Sequence, residues 1–265
     1  MNTEDHGAKA QRAVQSVEVG GQLLLALGAN REAMSLKDLA ACAGLPPSRA
    51  HPYLVSYGRL GLVQQDAVSG RYALGPAALR LGLTALLQCD PVRVAGPVAE
   101  ALAADTGQAV ALVVWGNFGP TVLRLIDARQ PLHIAMRAGT VMSLLGTATG
   151  RAFASVMPPE HIADALAGVA LGAGRVAAAT AVPEAELASA RDEYTRHGCT
   201  RAVGRPVPGV NAFSAPVFDH DGVPVLVLTL LGHQDHFPSA WSSPMAQAVK
   251  CAAAEASTRL GWRGT

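Results

Sequence analysis

The residues able to do chemistry fall into four groups. His220-Asp221 and His233-Gln-Asp-His236 place imidazoles and carboxylates close enough in sequence to suggest a metal ion. Free-standing His/Asp pairs on turns seldom complete a closed ligand set, so solvated turn residues are the expectation. Gly146-Thr-Ala-Thr-Gly150-Arg151 leads small residues into a helix start. Backbone N–H groups there lack intrahelical acceptors and can meet a carboxylate. The run lacks the spacing and the Lys-Ser/Thr of a phosphate loop, and a tight loop capped at Thr147 or Thr149 also accounts for it. Ser48, Arg49 and His51 crowd hydrogen-bonding side chains into one short stretch. Cys42, Cys89, Cys199 and Cys251 stand far apart without a CxxC pair, which points to reduced thiols in a cytoplasmic protein. No G-x-S-x-G elbow is present. No catalytic residue, metal or cofactor is assigned, and the expected chemistry is recognition.

The elements that must position these groups begin with a helix over residues 12–29, in which Val14, Val17, Gly21, Leu24, Leu25 and Gly28 share a face. Ser35 reads as an N-cap with Asp38 three residues on. Leu36, Leu39, Ala40 and Ala43 then give a short amphipathic helix that ends at Gly44. Pro46 and Pro47 open a second helix, with Ala50, Leu54 and Tyr57 inward and Ser48, Arg49, His51 and Ser56 outward. Two short helices across a glycine turn make a helix-turn-helix pattern. Strand-like runs at 62–65 and 71–74, joined by turn residues 66–70, add a wing. Residues 76–87 return to helical spacing as a linker.

The remainder mixes both periods. Helices are predicted over 92–106 and 184–197, strands over 109–115, 121–127, 132–137, 211–218 and 224–231, and hairpin turns at Gly119-Pro120 and 219–222. Residues 163–181 read as a helix plus loop. The fold class is therefore α+β: a winged helix-turn-helix domain (residues 1–74), a linker helix (75–90) and a larger regulatory domain (91–265).

The chain has 265 residues, half of them apolar and 15% charged, enough to bury a substantial core. A net charge of +1 excludes a chain-wide polyanion binder. Residues 36–82 are more basic, with Lys37, Arg49, Arg59, Arg71 and Arg80 against Asp38 and Asp66. The polar N-terminus lacks the apolar core of a signal peptide. The longest apolar stretch, residues 223–231, is a buried strand, too short to span a bilayer.

Several segments together carry a resemblance. These are Ser35-Leu-Lys-Asp-Leu-Ala, Gly44-Leu-Pro, Arg59-Leu-Gly-Leu-Val and Gly70-Arg-Tyr-Ala-Leu-Gly in the first part. Ser143-Leu-Leu-Gly-Thr-Ala-Thr-Gly-Arg-Ala-Phe, Tyr194-Thr-Arg-His-Gly, Gly209-Val-Asn-Ala-Phe-Ser-Ala-Pro-Val-Phe-Asp and Gly222 through Gly232 follow in the second. In this order and spacing, from about Gln15 to Leu260, the chain resembles the IclR-type transcriptional regulators. The resemblance implies an effector domain with a curved antiparallel sheet flanked by helices. It also implies homodimers formed through the N-terminal half, often paired into homotetramers, that bind double-stranded operator DNA.

In such a protein Ser48, Arg49 and His51 are the base-reading candidates, and Arg is best shaped for guanine. Arg59 and Arg71 are expected on phosphate. The sequence departs from the family pattern at Pro52, where a basic residue is usual. A helix-interior proline removes a hydrogen bond, so either the helix starts later or its geometry changes.

The resemblance places ligands near residues 146–150, with Ala148 and Thr149 as the amide-donating pair. Where keto-acid-sensing relatives are polar, this chain has Ala202, Ala212 and Leu231, and Thr229 alone keeps a hydroxyl. Met136, Val141, Met142 and Leu144 add apolar wall; Arg124, Arg137, Trp115 and His133 are further candidates. Such a pocket suits a small organic acid, aromatic or otherwise hydrophobic, and a regulator of a catabolic operon. The alternatives are a sensor that has lost DNA binding and, less compatible with the residues, an enzyme.

Overall fold

The hydroxyl of Ser35 accepts from the Asp38 N–H at 3.2 Å and donates to its carboxylate at 2.7 Å, starting a seven-residue helix where the sequence signals one. The computed structural model describes residues 13–30, 32–129, 132, 134–172 and 184–264. The elements run α1 (Gln15–Ala29), α2 (Leu36–Cys42), α3 (Pro47–Arg59), β1 (Val63–Gln65), β2 (Tyr72–Leu74), α4 (Pro76–Leu87), α5 (Pro91–Thr106), β3 (Ala109–Gly116) and β4 (Gly119–Ile126). They continue with α6 (Ala148–Val156), α7 (Pro159–Gly172), α8 (Glu184–His197), β5 (Thr200–Val203), β6 (Val210–Phe218), β7 (Pro224–His233) and α9 (Pro244–Arg259). Two compact units divide between Gln88 and Cys89.

In the first unit Leu23, Leu27, Leu39, Ala40, Ala50 and Leu54 form one core with Val63 and Tyr72 of the wing. The inward face of α1 is corrected by this core: Gly20, Leu23 and Leu27 are buried, whereas Val14, Val17 and Leu25 are exposed. Apolar residues on both sides of that helix hid its phase. A Cβ on Gly20 would collide with Tyr57 and Tyr53, so glycine lets α1 and α3 approach closely. Gly44 follows α2 at φ 65°, the left-handed stop that glycine tolerates. Helix α3 begins at Pro47 and runs through Pro52 without a break. Ser48 and Pro52 are both exposed, so water can take the carbonyl that Pro52 leaves unpaired. The two-stranded wing pairs Val63 with Leu74 and Gln65 with Tyr72, and Met34 bridges to Tyr72.

The second unit is built on an antiparallel sheet of order β4-β3-β7-β6-β5. Register sets Ala111 opposite Thr229 and Thr229 opposite Ser214, which in turn faces Thr200. Alternation then sorts the side chains. Val110, Leu112, Phe213, Leu228 and Leu230 pack towards α5 and α9. Ala109, Ala111, Val113, Val227 and Leu231 face the other way, with Phe153 of α6. Central strand β7 is covered on both faces, which is why it reads as a continuous apolar run.

Two expectations change here. Residues 132–137 form no strand in their described part; their alternating apolar residues pack on the sheet from irregular backbone. The β3–β4 turn is Asn117-Phe118, and Gly119-Pro120 already belongs to β4. Helix α7 ends at Gly172, and the loop expected up to residue 181 lies outside the described residues.

Candidate effector cavity and DNA-reading face

On the α6 side, the β5-β6-β7 half of the sheet carries small residues, Ala202 and Ala212, opposite Leu231. Truncated side chains leave space, and a cavity of about 260 Å³ opens there. The start of α6 closes it on one side, residues 134–143 on another, and residues 205–207 of the β5–β6 turn at the strand end.

The first turn of α6 explains its sequence. Thr147 caps the helix by accepting the Gly150 N–H at 2.9 Å. A side chain at Gly150 would strike the carbonyls of Ser143 and Leu144, so only glycine lets the turn seat there. The cap leaves the N–H groups of Ala148 and Thr149 without a hydrogen-bond acceptor among the described residues. Both residues are buried and line the cavity. Buried unpaired N–H groups are rare in proteins, and at a helix start they carry the positive end of the helix dipole.

Beneath them runs a chain of buried hydroxyls. Thr149 and Thr229 are 2.7 Å apart, and Thr229 and Ser214 are 2.8 Å apart. Thr200 donates to the Ala148 carbonyl at 2.7 Å, holding α6 to β5. The Thr229 hydroxyl, which the sequence left as the lone polar group of the pocket, is therefore already engaged by protein.

Ala148, Thr149, Ala202, Ala212, Thr229, Leu231, Met136 and Met142 all line the cavity, as does Val141. Leu144 does not: it turns the opposite way, into a cluster with Ala154, Ile162 and Leu187. Arg124 lies on the α5 side, paired with Glu100 at 2.6 Å. Trp115 stacks edge-on against Phe153 instead of lining the cavity, and Arg137 lies outside the lining. His133 falls outside the described residues. Sequence reading missed Arg205, Pro206 and Val207, because the short strand β5 that delivers them carries little apolar signal. Among the described residues no group of three His, Cys, Asp or Glu side chains could hold a metal.

Beside the cavity, the Glu193 carboxylate holds Arg151 and also accepts the Arg201 N–H at 2.6 Å. The Arg201 guanidinium lies 4.3 Å from the Trp241 ring and donates to the Ser239 carbonyl.

In the first unit Ser48, Arg49 and His51 are exposed on α3, and Arg59 is exposed at its last turn. Arg71 is exposed at the wing but donates one N–H to the Ala33 carbonyl at 2.9 Å. In the wing turn the Ser69 N–H and hydroxyl hold the Asp66 carboxyl below the usual carboxylate range. The protein thus presents a helix with polar first-turn residues on one unit and, on the other, a mostly apolar cavity edged by helix N–H groups.

Comparison with known proteins finds a family model for each part of the chain. Residues 16–67 match the IclR helix-turn-helix domain, and residues 83–258 match the C-terminal domain of the bacterial transcriptional regulator IclR. The chain is 24% identical over 247 residues to the HTH-type transcriptional regulator KipR of Bacillus subtilis, covering 92% of this chain and 96% of KipR. It is 29% identical over 228 residues to the glycerol operon regulatory protein of Streptomyces coelicolor, covering 83% and 85%. The crystal structure of Pseudomonas aeruginosa HmgR superposes with a TM-score of 0.84 at 35% identity, covering 95% of this chain and all of that one.

Proposed function

The chain belongs to the IclR family of bacterial transcriptional regulators, and from that premise we propose that it senses a hydrophobic, aromatic-sized carboxylic acid and controls a catabolic operon. The acid sits in the cavity beside α6, and operator DNA is read by Ser48, Arg49 and His51, with Arg59 and Arg71 on phosphate. The observation that carries the ligand class is the pair of buried N–H groups of Ala148 and Thr149, without an acceptor among the described residues, in a largely apolar cavity. A carboxylate satisfies both donors at once. Acids of two or three carbons leave most of the 260 Å³ unfilled.

The regulator works in the cytoplasm as a homodimer, with pairing into tetramers open to the same surfaces. Support comes from α4, which has no buried residue and exposes Leu79, Leu81, Leu83, Leu86 and Leu87. Val14, Val17 and Leu25 of α1 are likewise exposed. So much bare apolar surface marks a contact site. The acid alters DNA binding only if the two conformational states bind it unequally.

The test is a gel-shift titration on the gene's own upstream intergenic DNA, with and without benzoate-, phenylacetate- and keto-acid-type ligands, run beside thermal unfolding. The aromatic acids should raise the unfolding temperature and change a salt-sensitive shift. Stabilisation by two- and three-carbon acids alone overturns the ligand class. Pro52 within α3 favours one second reading, a sensor without an operator; a ligand response with no specific DNA shift selects it.

A further inference from the structure

We propose that Arg205 is a second anchor for the effector, at the far end of the cavity, and that it selects acids carrying another anionic group opposite the first. This rests on the acid-site reading above and adds to it the shape of the ligand.

Register gives the cavity its length. The α6 amides sit at the level of Thr200, Ser214 and Thr229, since Thr149 bonds Thr229 and Thr200 bonds the Ala148 carbonyl. On the same face, Ala202, Ala212 and Leu231 come two residues further along, and Val210 four residues from Ser214. At about 3.4 Å per residue, the stretch of β6 from Ser214, which is level with Thr229, to Val210 of the lining spans roughly 14 Å. The end of that path is the β5–β6 turn, where Arg205 is, among the described residues, the one cationic side chain of the lining.

That turn is pinned. The Gly204 N–H donates to the Val210 carbonyl at 2.9 Å and to the Asn211 side chain at 3.1 Å. Asn211 in turn donates to the Phe237 carbonyl at 3.0 Å, and Gln234 N–H donates to Gly209 at 2.8 Å. Arg205 therefore projects from a fixed base.

The neighbouring arginines are occupied by described residues, whereas Arg205 is not. Arg151 is held by Glu193, and Arg201 by the Ser239 carbonyl and the Trp241 ring. Arg205 makes no hydrogen bond or ion pair with any described residue. It also borders a second, more polar hollow with Arg151, Arg201 and Glu186. Among the described residues Glu186 is the one carboxylate lining that hollow, and with Arg151 already held by Glu193, Arg201 and Arg205 are the guanidinium groups that face it. The Arg205 charge is thus available to a ligand, and its planar fork matches a carboxylate. The complementary effector has one carboxylate at the α6 amides, an apolar or aromatic middle against Met136, Met142 and Leu231, and a second carboxylate or comparably anionic oxygen on the order of 10 Å away.

The test is isothermal titration of the full-length wild type and Arg205→Gln with two probes of matched body, 3-phenylpropanoate and 3-(4-carboxyphenyl)propanoate. Arg205 is exposed, so the variant should fold as the wild type, which thermal unfolding without ligand confirms. The diacid is expected to bind the wild type roughly tenfold more tightly than the monoacid, and Arg205→Gln to weaken the diacid roughly tenfold more than the monoacid, removing that advantage. Equal binding of the two probes to the wild type, or an equal loss of both in the variant, overturns the Arg205 anchor and leaves the acid site standing. Failure of both probes to bind the wild type overturns the acid site, and the anchor with it.

Discussion

The hydroxyls of Thr149 and Thr229 lie 2.7 Å apart, tying the first turn of α6 to the central strand of the sheet. Thr229 is the middle member of the chain, since Ser214 meets it from the other side at 2.8 Å. Thr229→Val keeps the shape and removes the shared partner, leaving the Thr149 and Ser214 hydroxyls buried and unpaired. Each such group costs about 1–3 kcal/mol. Thr229→Val should therefore lower stability by about 2 kcal/mol or more in urea unfolding. Ser214→Ala, which strips only the end of the chain, should cost less. Equal losses would mean that the chain does not act as a unit.

Ala148 is the first residue of α6, and Thr147 before it has φ −121° and ψ 155°. That backbone is what a following proline requires, and the first helical position tolerates proline because its N–H has no intrahelical use. Ala148→Pro should unfold at nearly the wild-type temperature while binding an aromatic acid roughly tenfold more weakly, the loss expected for one charge-assisted hydrogen bond. Unchanged affinity would place the carboxylate elsewhere.

Ala148, Thr149 and Thr229 are residues that sequence reading located, and the reasons are local. Caps and stops are written in a few adjacent residues, so Ser35, Gly44 and the start of α3 at Pro47 were legible. The small-residue start of α6 was legible for the same reason. Phase and orientation were not. In α1, apolar side chains ring the helix, because some of them remain exposed while others face the core, and spacing alone selects no face. In residues 132–137, alternation reports that one side packs, and irregular backbone can pack one side as well as a strand can. Leu144 and Met142 are two residues apart on a non-repetitive segment and end in different clusters. Arg205 owes its place to β5, four residues long, whose pairing with β6 only the folded sheet reveals. Helix α9 was missed because its alanine-rich face gives a weak periodic signal, although Ala246, Val249, Ala253 and Ala256 are buried.

Cys199 is buried, while Cys42, Cys89 and Cys251 are exposed. Burial pushes the Cys199 thiol up to about 11, well above an ordinary thiol. Three thiols should react with an aromatic disulfide reagent in the native protein and the fourth only after denaturation. The folded-state pKa is raised, so the unfolded chain releases this proton first. The contribution of Cys199 is complete below about pH 9 and is lost as pH rises towards 11. Burial also raises Tyr194, which adds to the fall above pH 10. Stability measured from pH 8 to 11 should decline, and less steeply between 9 and 10 in Cys199→Ala. Identical slopes would remove Cys199 as the cause.

Arg49 and Arg71 are both exposed arginines on the DNA-binding unit, but their surroundings predict different failures. Arg49 stands in the first turn of α3, where a recognition helix meets base edges. Arg49→Ala should cost about 1–3 kcal/mol on the preferred operator and little on scrambled DNA, because base contacts carry the discrimination. Arg71 spends one N–H on the Ala33 carbonyl across 2.9 Å and keeps the rest of its fork outward. A phosphate contact there gives affinity without sequence information. Arg71→Ala should weaken operator and scrambled DNA alike and reduce the slope of log K against log salt by about 1. The lost bond to Ala33 should also loosen the Met34–Tyr72 bridge beside it, read as faster amide exchange at Tyr72, whose N–H donates to the Met34 carbonyl at 2.8 Å. Faster exchange with an unchanged salt slope would assign Arg71 to holding the wing in place and leave Arg59 as the phosphate contact.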